Sequence, residues 1–83
     1  MKKITKEKSK NLSFPVVYEA DPEGGYVVSI PTLPGCRSQG ETLEEAESRI
    51  KEAAVLYLES LFRETGKLPK DVRTFQGRIE VAV

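Results

Sequence analysis

The sequence contains no histidine, no tryptophan and a single cysteine. Without histidine there is no imidazole general base, no Ser-His-Asp or Cys-His nucleophile, and no Cys and His zinc set. One cysteine, Cys36, excludes an internal disulfide and fits a reducing compartment. Its neighbour Arg37 offers no base, so Cys36 reads as a small half-buried residue opening a strand rather than a nucleophile. No apolar run approaches the ~20 residues that span a bilayer, and the N-terminus lacks a signal peptide's apolar stretch. A cytoplasmic protein with no membrane contact is therefore expected. Neither a P-loop nor a dinucleotide-binding glycine fingerprint stands at a strand-to-helix junction, so no cofactor is expected. Net charge is also missing: 13 basic residues balance 13 acidic ones. Bulk attraction to a polyanion is thereby excluded.

What charge there is lies unevenly. Residues 1–10 hold five Lys against one Glu, which leaves the remaining chain acidic. Residues 1–11 are expected to be a basic, flexible arm, read either as a solvated end or as a segment touching RNA or an acidic partner. It carries no Arg and no aromatic for stacking. Residues 12–83 suffice for one domain with one core layer between a sheet and a helix.

The punctuation of that domain is dense. Phe14, Val16, Tyr18 and Ala20 alternate with Pro15, Val17 and Glu19, the two-residue period of a strand packed on one side. Asp21-Pro22-Glu23-Gly24-Gly25 reads as a hairpin connection to a second strand in which Tyr26, Val28 and Ile30 share a face. Leu33-Pro34-Gly35-Cys36 is a tight turn, and Cys36 to Gly40 extends the sheet by a short third strand. Thr42 with Glu45 forms a capping box ahead of a helix from Leu43 to about Thr65, closed by Gly66 with Pro69 beyond it. Its core stripe is Leu43, Ala46, Ile50, Ala53, Ala54, Tyr57 and Leu61. Glu45 to Arg49, Glu47 to Lys51 and Glu59 to Arg63 are spaced for ion pairs one turn apart. A last strand is predicted near 78–83, where Ile79, Val81 and Val83 alternate with Arg78, Glu80 and Ala82. Phe14, Tyr18 and Tyr26 have the parity of the core, which argues against an RNA-stacking platform.

FPVVYEAD, the hairpin tip EGGY, VVSIP, LPGC, SQG and TLEEA, in that order between Phe14 and Leu58, resemble the HicB-like antitoxin family. The resemblance implies an α+β, two-layer fold. A three- to four-stranded, mainly antiparallel sheet would carry one long helix on one face, in β-β-β-α-β order, like a truncated ribonuclease H sheet. It also implies a function: binding and neutralising a HicA-like, mRNA-cleaving toxin by steric and electrostatic masking, without catalysis. Glu19, Asp21 and Glu23 on the hairpin and Glu44 and Glu52 on the helix are the candidate partner-binding residues. Val55, Leu58 and Phe62, on the helix flank, are either a wide core face or a subunit contact. Dimers or larger assemblies in the family favour the contact, so a homo-oligomer, dimer or tetramer, is expected. Family members often continue into a DNA-binding domain; with none before Val83, direct sequence-specific DNA binding is not expected.

Two alternatives remain beside this reading. One is a solitary oligomeric module that binds protein or RNA without a toxin. The other is a metal-dependent, ribonuclease H-like nuclease, which needs several carboxylates converging on Mg²⁺. Asp21 and Asp71 fall in predicted loops, while Glu19 and Glu80 meet only if the first and last strands are neighbours. Such a surface pair is ordinarily a solvated charge pattern, so no metal or catalytic residue is assigned.

Overall fold

The computed structural model describes residues 12–70 and 73–83. The basic arm, 1–11, and Asp71 lie outside the described residues. Three strands, β1 (Val17–Ala20), β2 (Tyr26–Ser29) and β3 (Arg37–Gly40), form an antiparallel sheet in the order β1-β2-β3, and one helix, α1 (Leu43–Thr65), follows. This is the expected α+β, two-layer architecture, with three strands in the sheet.

Register sorts the side chains into two faces. Tyr18 lies opposite Val28, and Val28 opposite Ser38, on the helix side; Glu19, Val27 and Gln39 line up on the other. The core is Val28, Ile30, Leu33, Cys36, Ala46 and Ile50, with Phe14, Val16, Tyr18, Tyr26, Ala53, Ala54, Tyr57 and Leu58 packed against it. The aromatics therefore serve the core, as their parity predicts. Burying side chains the size of Ile50 or Leu33 contributes about 1.5–3 kcal/mol each, and among the described residues α1 is the helix that covers this side of the sheet.

β1 is shorter than the alternation suggests. Pro15 has no N–H to give a ladder, so pairing starts at Val17 although Phe14 and Val16 still reach the core. The Pro-Gly turn closes with three backbone bonds: Ile30 N–H donates to Cys36 O, Leu33 N–H to Ile30 O, and Cys36 N–H to Leu33 O, at 2.9–3.0 Å. Those bonds hold Leu33 and Cys36 inward.

The helix is positioned by its ends. Thr42 Oγ1 accepts from Glu45 N–H at 3.1 Å, and the Glu45 carboxylate accepts from Glu41 N–H, one residue ahead of the cap. At the other end Gly66 takes the left-handed conformation, φ 74°, which presents its N–H to Phe62 O at 2.7 Å. Between them α1 lies over β3 and β2. It comes so close to Gly40 that a methyl there would sit 2.4 Å from Ala46 N. Among the described residues only Glu45 and Arg49 form an ion pair, at 3.5 Å. Solvated pairs such as Glu47 with Lys51 gain too little to fix two long side chains.

The stripe departs from expectation at its start, where Leu43 is 47 % exposed, because α1 approaches the sheet only from Ala46 onward. The segment 73–83 differs more. It forms no strand in this chain, and Ile79 and Val81 are 87 % and 69 % exposed. Alternation alone makes no strand without a ladder partner.

Candidate functional site

Carboxylates gather where the hairpin meets the helix start. Asp21 shapes the hairpin as well as charging it: its Oδ1 accepts from Glu23 N–H at 2.9 Å, its N–H donates to Gly25 O, and its O accepts from Gly24 N–H. That Asx turn fixes Asp21 and leaves Glu23 exposed at the tip. Glu19 projects from β1 on the face away from the helix, beside Val27. Because β2 carries the tip back beside Gly40, Asp21 comes to share a hollow of about 200 Å³ with Tyr26, Gln39, Glu41, Glu45 and Arg49. Glu41 is not a candidate from sequence, and Glu45 reads there as the capping partner of Thr42 rather than as a binding residue. Their capping geometry reads as structural, and only the fold brings them to the hairpin.

Glu44 stands exposed in the first helical turn, and Glu52 is exposed on the same side eight residues on, about 12 Å along the axis. Neither forms an ion pair among the described residues. Of the acidic residues, Asp21, Glu41 and Glu45 share one hollow, while Glu23 stands at the hairpin tip, Glu44 in the first helical turn, Glu19 on the sheet and Glu52 further along α1. Among the described residues no three acids or Cys converge as a metal site would require. Glu80 belongs to the exposed 73–83 segment and is not brought to Glu19 on β1.

The helix flank divides. Leu58 packs against the core, Phe62 is half-buried, and Val55 is 53 % exposed. On the opposite flank Leu56 is 67 % exposed and borders a groove of about 510 Å³ with Ala53, Tyr57, Cys36 and Arg37. A single Leu off the stripe carries no signal in sequence, so this groove was not foreseen. Burial pushes the Cys36 thiol above its ordinary pKa, because the thiolate would lose its hydration there. The residue is an inert wall of the groove at neutral pH.

No helix among the described residues is long and apolar enough to cross a membrane. A three-stranded antiparallel sheet under one helix, with carboxylates and Arg49 lining a hollow at its hairpin end, defines a small two-layer α+β domain. The model of the family described as HicB-like antitoxin of bacterial toxin-antitoxin system matches residues 14–80. A UPF0150 protein of Thermoplasma acidophilum is 45 % identical over 60 residues, 72 % of this chain and 87 % of that one. Another, of Archaeoglobus fulgidus, is 50 % identical over 48 residues, covering 58 % and 70 %. Antitoxin HicB 1 of Photorhabdus laumondii is 40 % identical over 72 residues, 87 % of this chain but 46 % of that protein, so the chain spans about half of it. The chain belongs to the HicB-like antitoxin family of toxin-antitoxin systems.

Proposed function

We propose that this chain neutralises a HicA-like, mRNA-cleaving toxin by docking its acidic surface on the toxin's basic, RNA-binding side in the cytoplasm. The family match over residues 14–80 carries the reading. The hollow shared by Asp21, Glu41 and Glu45, with exposed Glu23 at the adjoining hairpin tip, supports a partner contact at that end. A protein that binds RNA must present positive potential, and an acidic partner competes for the same surface. Charge complementarity of this kind raises the encounter rate and selects the partner more than it adds affinity. Masking needs no reactive group on this chain.

The test is co-expression with a small basic protein encoded beside it. A complex should co-purify and growth should be restored. Replacing Glu19, Glu23 and Glu44, whose side chains hold no hydrogen bond among the described residues, by Lys should slow association and weaken its dependence on salt, while leaving the helical circular dichroism unchanged. Folded protein that neither forms a complex nor relieves toxicity removes the proposal in favour of a solitary binding module.

A further inference from the structure

We propose that residues 78–83 of one copy of this chain add as a strand to the free edge of β3 in a second copy, closing the groove beside it in an exchanged dimer. Two unsatisfied features match. The segment Arg78-Ile79-Glu80-Val81-Ala82-Val83 has strand alternation, no strand partner among the described residues, and exposed Ile79, Val81 and Val83. β3 is an edge strand, and the apolar groove opens at its start, lined by Cys36, Arg37, Ala53, Leu56 and Tyr57. A strand laid there turns every second side chain towards α1, which puts Ile79 and Val81 over Leu56 and Ala53.

Charge selects this edge over the other. With Ile79 and Val81 turned to the helix, Glu80 faces the opposite side of the sheet. On β3 that side presents Arg37, which has no ion-pair partner among the described residues; on β1 it presents Glu19. Opposite charges across strands favour pairing and like charges oppose it. β1 is also preceded by Pro15, which cannot donate. An antiparallel register with Glu80 opposite Arg37 sets Val81 opposite Cys36 and Ile79 opposite Ser38, each pair sharing a face.

Direction selects a second copy. The chain leaves α1 just past Glu64, which lines the groove together with Gly35, ahead of the start of β3. A tail passing straight from its own helix into the groove runs alongside β3 in the parallel sense, and the antiparallel register within one chain would require 66–77 to cross to the Gly40 end and reverse. A two-fold axis supplies the antiparallel sense, and two tails with two grooves make a closed, self-complementary interface. The inference stands apart from the toxin reading.

Cys36 makes the test direct. Opposed residues in an antiparallel pair have Cα atoms about 4.5–5.5 Å apart, within disulfide reach. Chains carrying V81C with C36A are mixed with the unaltered chain, allowed to exchange, and oxidised with glutathione disulfide at alkaline pH, which ionises the buried Cys36 thiol. A covalent pair of two chains is expected in the mixture and in neither component alone. Separately, V81D should convert a dimer in sedimentation into a monomer with the same helical signal. The proposal is overturned by a monomeric unaltered chain, by a V81D dimer, by folded mixtures that do not cross-link, or by V81C alone closing an internal disulfide at monomer mass.

Discussion

Gly40→Ala is a sharp perturbation because its obstacle is backbone. The added methyl would lie 2.4 Å from Ala46 N, 2.9 Å from Ala46 Cα and 2.9 Å from Glu45 C, where ordinary contact begins near 3.4 Å. No rotamer change relieves this, so the first turn of α1 must retreat by about 1 Å. Retreat lifts Ala46 and Ile50, both buried, from Val28 beneath them. Overpacking costs about 1–3 kcal/mol, and a rigid obstacle over the core belongs at the upper end, about 3 kcal/mol. A chain of this size has roughly 4–12 kcal/mol in all. Urea unfolding followed by helical circular dichroism at fixed protein concentration reads the loss. With a slope near ~1 kcal/mol per M, the midpoint should fall by about 3 M. Gly77→Ala is the control, since nothing lies within 4 Å of its added methyl. A loss below about 1 kcal/mol for Gly40→Ala would refute the claim that α1 is seated on that glycine.

Thr42→Ala removes the acceptor for Glu45 N–H and should cost about 1 kcal/mol, seen as a lower melting temperature; an unchanged melt contradicts the capping role. Cys36 should react slowly with Ellman's reagent in native protein and at once in urea, and rapid native labelling would mean an open groove wall. Because the folded state raises its pKa, the Cys36 contribution is complete at neutral pH and is lost as pH climbs above about 8.5. Cys36→Ala should flatten the alkaline limb of unfolding free energy against pH, and an equally steep limb assigns it to other groups.

Most of the fold is legible because its punctuation is local. The helix limits follow from Thr42, Glu45 and Gly66, each acting within one turn, and the hairpin from Asp21 and two glycines. What escapes is set by distant neighbours. Gly40 reads in sequence as the end of a short strand, whereas its smallness is demanded by Ala46 arriving overhead. Glu41 carries no signal in sequence and Glu45 reads there as a capping residue; both gain their place in the acidic hollow only through β2 and β3. Leu43 has the period of the stripe but stands at its end, before the helix reaches the sheet. For residues 78–83 the alternation predicts a strand that this chain does not form, because pairing needs an edge, and an edge is a property of the assembled sheet.

The two surfaces meet at β3 and still act separately. Its Gly40 end borders the acidic hollow, and its Cys36 end borders the apolar groove. Along α1 the corresponding positions, Glu45 and Leu56, are eleven residues apart, about 16 Å on a straight helix. Effects of changes separated by more than about 10 Å without shared partners ordinarily add. Charge reversal at the hairpin should therefore leave the copy-to-copy contact intact. Loss of that contact should leave the affinity of each acidic surface for its partner unchanged, and remove only the gain from presenting two such surfaces together.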